Sequence, residues 1–144
     1  MQAQSQITVD VPAGIHHGQT LRMRGQGEAG RQGAEAGDLY VVVLVREDKR
    51  FTRDGDNIKT EVTIPVFDAI LGTEVNVETV HGRVSMRIAE GTQSGTVLRL
   101  KNKGMPVLSS SRFGDHYVTV QVEIPRKLSR AERKLVEEWK EISK

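Results

Sequence analysis

Histidines and serines are the side chains of this sequence best suited to metal binding or nucleophilic catalysis. The four histidines lie next to glycine or in predicted turns and strand ends, without H-x-x-x-H spacing, and the sequence contains no cysteine. Histidines in such places are typical of surfaces and turns rather than of metal sites. The serine triplet stands in a predicted loop that has no nucleophile-elbow motif. The sequence therefore predicts no catalytic residue and no metal ligand at these positions, which are His16, His17, His81, His116 and Ser109 to Ser111.

A glycine-rich segment raises the question of a nucleotide cofactor. Gly25 to Gly30 satisfies G-x-G-x-x-G and follows a predicted strand, as in dinucleotide-binding folds. The residues from Arg31 to Gly37 contain too much glycine to begin the helix that would bind a pyrophosphate. A β-hairpin loop is the better interpretation, so an enzyme that uses a cofactor here is the least favoured hypothesis. Asp54 to Asn57 likewise predicts a turn, because its carboxylates lack the spacing of a calcium loop.

The composition is that of an ordinary globular protein. Hydrophobic residues make up 37% of the chain, charged residues 28% and aromatic residues only 4%. The 21 basic residues are interleaved with 19 acidic ones, which predicts a solvated surface rather than the basic stripe that nucleic acids favour. No apolar run approaches the length of a membrane span, and the first residues lack the regions of a signal peptide. We therefore expect a cytoplasmic location and no membrane partner.

Alternating apolar residues predict that most of the chain forms β-strands. Two early strands are predicted at Ile7 to Val11 and around Leu21 and Met23. The run from Leu39 to Val45 is apolar on both faces, which predicts a central strand of a sandwich or barrel. Pro65 to Gly72 predicts one or two helical turns, with proline at the start and glycine at the end. Further strands are predicted at Asn57 to Ile64, Thr73 to Val77, Arg83 to Ile88, Val97 to Lys101 and His116 to Ile124.

An internal repeat is the most informative feature of the sequence. When the chain is shifted against itself by 77 residues without a gap, eleven of the 39 positions from Ile7 to Val45 are identical, whereas about two identities would arise by chance. The shared glycines favour tight turns with positive φ at matched positions. We therefore expect two copies of one fold. The identical pairs include Gly14 and Gly91, Gly18 and Gly95, Leu21 and Leu98, Arg22 and Arg99, Asp38 and Asp115, and Tyr40 and Tyr117.

The two copies are preceded by unequal lengths of chain. Residues 51–82 lie ahead of the second copy, whereas only residues 1–6 lie ahead of the first. We expect the first unit to lack its opening half, either because the chain is a fragment, which we favour, or because a partner supplies the strands. The predicted fold class is all-β, with two tandem related β-sandwich or barrel-like units, the first incomplete, and a C-terminal α-helix. The predicted divisions are 1–48, 49–126 and 127–144.

The C-terminal segment carries a strong helix signal. Ser129-Arg130-Ala131-Glu132 is a capping box, and apolar residues then recur on one helical face. A helix of about 15 residues is marginal alone and needs a surface that covers its apolar stripe. Its own β-domain would serve, but the terminal position and the single tryptophan favour a two-fold dimer. The predicted dimer-interface residues are Leu128, Ala131, Leu135, Val136, Trp139 and Ile142.

Several motifs occur in order along nearly the whole chain. In the first copy they are Val9 to Ile15, Gly18 to Gly30 and Gly37 to Val41. The later motifs are Phe51 to Asn57, Ala69 to Gly72, Val80 to Gly82 and Lys103 to Pro106. Together they resemble the C-terminal region of DnaJ-type heat-shock co-chaperones. The resemblance implies an arm of two substrate-binding domains followed by a dimerisation helix, which agrees with the repeat.

The resemblance also implies cofactors and partners. In members with a cysteine-rich zinc insertion, that insertion precedes the segment matching Ile7 to Gly14. Zinc is therefore expected only upstream of this chain, together with the J domain and the missing half-domain, and no cofactor is expected within it. No His-Pro-Asp tripeptide occurs here, so the element that stimulates the partner ATPase is absent from these residues. The implied partners are unfolded client polypeptides, a DnaK-type ATPase chaperone and a second copy of the chain.

The implied function is to bind extended apolar segments of unfolded proteins for delivery to that ATPase. An open β-unit presents free N–H and C=O groups that accept an extended peptide as an added strand. The resemblance places part of the apolar wall of the substrate groove at Ile7 and Phe51. Leu21 and Met23 are candidates by their local pattern alone, and core packing is the favoured interpretation for both.

A β-rich nucleic-acid-binding module is the alternative function. Only a few basic residues on matched strands suggest it, and no aromatic cluster accompanies them. We therefore expect no specific nucleic-acid partner. The basic residues are Arg22, Arg24, Arg99, Lys101 and Lys103.

Overall fold

Strands are the main regular structure of the described chain, and a helix ends it. The computed structural model describes residues 8–25, 37–46 and 48–144. An all-β fold with a C-terminal helix is thereby confirmed. The elements are β1 (Thr20–Met23), β2 (Leu39–Val42), β3 (Thr52–Asp54), β4 (Asn57–Pro65), α1 (Val66–Leu71), β5 (Thr73–Thr79), β6 (Gly82–Ile88), β7 (Thr96–Leu100), β8 (His116–Glu123) and α2 (Arg130–Ile142).

The strands form three sheets. β1 and β2 are an antiparallel pair in which Leu21 lies opposite Val41. The second sheet has the order β3-β4-β8-β7, and β5 pairs with β6 in the third. The predicted turns at Asp54-Gly55 and His81-Gly82 are confirmed, because Gly55 and Gly82 adopt positive φ values of 61° and 105° between paired strands.

The chain divides into two compact units. The first comprises Met1–Thr60, Thr79–His81 and Arg99–Tyr117, and the second Glu61–Glu78, Gly82–Leu98 and Val118–Lys144. In the second unit Met86 and Ile88 of β6 and Val118 and Val120 of β8 are buried at alternate positions, as one covered face of a sheet requires. Its buried apolar residues are Ile64, Ala69, Val77, Met86, Ile88, Val118 and Val120, whereas those of the first unit are Ile15 and Ile58.

The repeat is visible in three hydrogen bonds that recur 77 residues apart. In each copy a glycine N–H donates to the long strand, a loop side chain accepts from that strand, and an aspartate accepts from a residue with positive φ. The first copy has Gly18 N–H to Val43 O (2.8 Å), Val45 N–H to His17 Nδ1 (2.9 Å) and Gly25 N–H to Asp38 Oδ1 (3.2 Å). The second has Gly95 N–H to Val120 O (2.7 Å), Val122 N–H to Ser94 Oγ (3.0 Å) and Asn102 N–H to Asp115 Oδ1 (2.9 Å).

β2 is not a central strand within the described residues. It pairs there only with β1, and its outer face leaves Tyr40, Val42 and Leu44 exposed by 63%, 57% and 74%. The prediction from two apolar faces was wrong here, because an apolar strand does not itself supply the neighbour that would cover it.

Two smaller predictions also differ from the structure. Residues 8–11 form no strand. Pro12 follows them, and since proline has no N–H to pair, its carbonyl instead accepts from Ile15 in a turn. β3 was not predicted, because its three polar residues show no apolar alternation.

Both predicted helices are present with the predicted ends. α1 follows Pro65 and ends at Gly72, whose φ of 87° favours glycine. The Ser129 hydroxyl accepts the Glu132 N–H at 3.1 Å, and the Glu132 carboxylate accepts the Ser129 N–H at 2.9 Å. The bond from the Ser129 backbone, followed by the contact with its side chain, lowers the pKa of Glu132. The capping box therefore fixes where α2 begins, although no residue of α2 is buried.

Candidate functional site

A pocket of about 700 Å³ opens beside Phe51 in the first unit. The hairpin of β3 and β4 forms one side, and the loop that follows the buried residue Ile15 forms another. Such a pocket can take an apolar side chain of a bound peptide, because burial of apolar surface is favourable. Its apolar surface comes from Val45, Phe51, Ile58, Val80 and Met105.

Charged groups border this apolar surface. The Arg50 guanidinium donates to the two Asp48 carboxylate oxygens at 3.2 Å and 3.0 Å, and it lies 5.2 Å from the Phe51 ring centre. The side-chain hydrogen bonds from Arg50, followed by one from its backbone N–H, hold the pKa of Asp48 below its ordinary value. Asp48 therefore remains an ionised partner of Arg50, and the guanidinium is held against the ring.

Two histidines form part of the pocket wall. His17 Nδ1 accepts the Val45 N–H at 2.9 Å, so the neutral His17 ring carries its proton on Nε2. His16 Nε2 lies 3.5 Å from Asp56 Oδ1. The His17 bond holds the loop in place, and both histidines lie in this loop, which agrees with the predicted role of turn residues.

His116 contacts Phe51 from the interior of the first unit. The two rings meet edge to face at 6.3 Å, and His116 Nε2 lies 2.7 Å from the Thr60 hydroxyl oxygen. Burial lowers the pKa of His116, since the charged ring is disfavoured away from water. The prediction of a surface histidine was therefore wrong for His116. The repeat carried a signal, because Leu39 occupies the matched position in the first copy.

Phe51 is separated from the other predicted client-binding residues. Leu21 and Met23 lie half-buried on one face of β1, opposite Val41 and Leu39, and they do not line the Phe51 pocket. Their placement is that of ordinary packing within the β1–β2 pair. Ile7 lies outside the described residues.

A second concavity, the apolar groove, lies in the second unit and has a volume of about 470 Å³. One wall is α1, where Phe67 and Ile70 are exposed. The other wall is α2, which contributes Leu135, Val136 and Trp139. Leu128 and the preceding Ile124 and Pro125 also line the groove.

Four of the six predicted dimer-interface residues line the apolar groove. They are Leu128, Leu135, Val136 and Trp139. Ala131 and Ile142 are exposed on α2 and do not line it. Leu135 and Trp139 remain 65% and 53% exposed, so the groove leaves much of the apolar face of α2 open to water.

The sequence model of the DnaJ C terminal domain matches residues 1–125. The chain belongs to the DnaJ C-terminal domain family. Relatives named chaperone protein DnaJ agree: the protein of Clostridioides difficile is 49% identical over 133 residues, which are 92% of this chain and 35% of that protein. The Bacillus cytotoxicus protein is 50% identical over 92% of the chain and 36% of its own length, and the Ruminiclostridium cellulolyticum protein 44% identical over 99% and 38%.

This DnaJ C-terminal chain spans little more than a third of the length of those relatives. In the part that the structure describes, no helix is both long and apolar enough to cross a bilayer. Within the same residues, no three histidine or carboxylate side chains are grouped where they could bind a metal ion.

Sequence reasoning did not identify most of the residues that line these two sites in the DnaJ C-terminal fold. The wall of the apolar groove from α1 was missed, although Phe67 and Ile70 stand three residues apart in the predicted helical turn. Val80 and Met105 of the Phe51 pocket lie far from Phe51 along the chain, and no local pattern places them there.

Proposed function

We propose that this chain is the client-binding and dimerisation part of a DnaJ-type chaperone. The single observation that carries the proposal is the Phe51 pocket, whose surface is mainly apolar and remains open in a chain of this family. An extended segment of an unfolded protein would place an apolar side chain against Phe51, with Met105 and Ile58 in the same surface. Burial of such a side chain contributes about 1.5 to 3 kcal/mol.

The backbone of the client would pair with a strand edge. Within the described residues β2 pairs with β1 alone, and we propose that an extended client adds to its second edge. Main-chain pairing supplies affinity without regard to sequence, and pockets for alternate side chains supply the preference for apolar residues. This combination suits unfolded clients of many sequences.

The apolar groove is proposed as the dimer interface. Exposed Trp139 and Leu135 on α2 need a covering surface, and a second copy offers the same face through a two-fold axis. Tryptophan at the centre of such a patch is a typical hot spot. Ala131 and Ile142 would meet the partner chain at the edge of this interface.

The remaining parts of the proposal concern the longer protein. A DnaK-type ATPase would receive the client, the protein would act in the cytoplasm, and the chain itself would catalyse no reaction. The names of the relatives as DnaJ chaperones support this assignment. A nucleic-acid role finds no support, because Arg22 and Arg99 each lie beside an aspartate, Asp38 and Asp115.

Client binding is tested with a fluorescein-labelled leucine-rich peptide and with Phe51→Ala. We expect Phe51→Ala to weaken the affinity about tenfold, because truncation removes the aromatic wall of the pocket. Val97→Ala, an exposed apolar truncation outside both the pocket and the apolar groove, is the control and should bind as the wild type does. Equal affinity of wild type and Phe51→Ala would remove the pocket from the proposal.

Dimerisation is tested by sedimentation of the wild type and Trp139→Ala. The wild type should sediment as a dimer and the variant largely as a monomer. We expect the wild type to suppress the aggregation of a client only weakly. Trp139→Ala should not suppress it at all if suppression needs two joined arms. A monomeric wild type would contradict the dimer.

A further inference from the structure

Arg53 makes an unusual set of contacts for a residue at the edge of a pocket. Its Nη1 donates to Ile15 O at 3.0 Å and its Nη2 to Gly14 O at 2.9 Å, while Nε donates to Gly55 O at 2.7 Å. A guanidinium presents its donors in a fixed planar fork, so it can hold two adjacent carbonyls at once. All three acceptors are backbone atoms, and the side chain is 23% exposed.

These bonds join the two walls of the Phe51 pocket. Arg53 belongs to β3. The loop whose Gly14 and Ile15 carbonyls it binds continues directly into His16 and His17, which line the opposite wall. The far end of that loop is fixed by the bond from Val45 N–H to His17. Among the described residues that line the pocket, Arg53 is the side chain that donates to the carbonyls of both Gly14 and Ile15.

The loop that Arg53 binds is also closely packed against Pro106. Gly14 has a φ of 86°, and a Cβ on this residue would overlap the carbonyl oxygen of Pro106. Ile15 is buried beside it. Arg53 therefore joins β3 to a loop whose backbone is already closely packed.

We propose that Arg53 is a positioning residue that sets the width of the Phe51 pocket and so its fit to an apolar client side chain. The inference rests on the proposed client site at Phe51. Three of the five guanidinium N–H donors of Arg53 bind the backbone of Gly14, Ile15 and Gly55, so Arg53 acts on the client through these contacts. Its effect reaches the client through the position of the His16–His17 wall.

Charge alone does not account for the arrangement. Asp56 Oδ1 lies 3.9 Å from Arg53 Nη2, beyond hydrogen-bond distance, and this oxygen accepts no hydrogen bond among the described residues. A lysine at position 53 would keep a positive charge near Asp56. It could not reproduce a fork to two carbonyls.

The test compares Arg53→Lys and Arg53→Ala with the wild type in the whole chain, using the fluorescein-labelled leucine-rich peptide. We expect both variants to bind about tenfold more weakly, with lysine giving little rescue. Val120→Ala is the matched control, because it destabilises the second unit and leaves the pocket intact. Each variant is first shown to be folded by circular dichroism at the temperature of the titration.

Three results would overturn the inference. Arg53→Lys could bind as the wild type does, which would make charge sufficient. Val120→Ala could weaken binding as much as the Arg53 variants, which would reduce the effect to stability. Phe51→Ala could bind normally, which would overturn the client site as well. If Phe51→Ala lost binding while both Arg53 variants bound normally, only the role of Arg53 would be overturned.

Discussion

The two copies of the repeat share their loops but differ in how deeply their long strands are buried. Gly18 and Gly95 donate equivalent hydrogen bonds, and Asp38 and Asp115 accept equivalent ones. β8 has neighbours on both sides and buries Val118 and Val120 completely, whereas β2 pairs with β1 alone in the described residues and leaves Val41 and Val43 half-buried. Local bonding therefore follows local sequence, while burial depends on which strands lie alongside.

The copies diverge after the long strand. The same offset of 77 residues carries Phe51 onto Leu128 and Thr52 onto Ser129. In the first copy the chain continues into β3, and in the second into α2. Phe51 lines the Phe51 pocket and Leu128 the apolar groove, so equivalent positions serve the two proposed functions.

The largest difference between the copies is expected at Gly14 and Gly91. Both have positive φ, but a Cβ on Gly14 would overlap Pro106 O, whereas one on Gly91 would meet no atom within 4 Å. We expect Gly14→Ala to lower the free energy of unfolding by about 3 kcal/mol or more and Gly91→Ala by about 1 kcal/mol. Urea unfolding measures both, and equal losses would contradict the difference in packing.

A smaller difference is expected between Val120→Ala and Val43→Ala. Val120 is fully buried and Val43 is half-buried. We expect a loss of about 2 to 3 kcal/mol for Val120→Ala, because a cavity remains, and about 1 kcal/mol for Val43→Ala. If Val43→Ala were the costlier change in urea unfolding, β2 would have a covering neighbour in solution.

Ser129→Ala and Thr52→Ala compare the start of the helix α2 in the second copy with the start of the strand β3 in the first. Ser129→Ala should destabilise α2 by about 1 kcal/mol because the capping box is lost, whereas Thr52→Ala should change stability by less than about 0.5 kcal/mol. Hydrogen exchange of the amides in the first turn of α2 reports this directly. Unchanged exchange in Ser129→Ala would show that packing, rather than the cap, holds the helix.

The smallest expected difference is a pH dependence of stability, which His116 contributes and its counterpart Leu39 does not. The unfolded chain protonates the histidine around its ordinary pKa of 6.5, whereas burial lowers the pKa of the folded state. The stability that a neutral His116 contributes is therefore fully present above pH 6.5, and it is lost as the pH falls from 6.5 towards the pKa of the folded state. His116→Leu should remove this loss of stability below pH 6.5 in urea unfolding. If the free energy of unfolding of His116→Leu varied with pH as that of the wild type does, the pH dependence would belong to other groups.

The sequence was sufficient for the features that depend on local chemistry. The capping box predicted the start of α2, Gly72 the end of α1, and the matched glycines the shared turns. It was insufficient where distant segments meet. Met105 and Val80 join Phe51 only through the fold, and the exposure of Leu44 depends on a neighbouring strand rather than on its own residue type. The apolar Leu39 at the matched position indicated an apolar environment for His116, but the complete burial of His116 depends on the strands that lie on both sides of β8.

Sedimentation velocity of the fluorescein-labelled peptide with the wild type, Phe51→Ala and Trp139→Ala tests the central claim most directly, because it reports binding and mass together. The peptide should sediment with a wild-type dimer. A much smaller share of the peptide should sediment with Phe51→Ala, whose protein still sediments as a dimer, and the peptide should sediment with a smaller species in Trp139→Ala. If Phe51→Ala carried the peptide as the wild type does, or if Trp139→Ala left the mass unchanged, the assignment of binding to the Phe51 pocket and of dimerisation to the apolar groove would be contradicted.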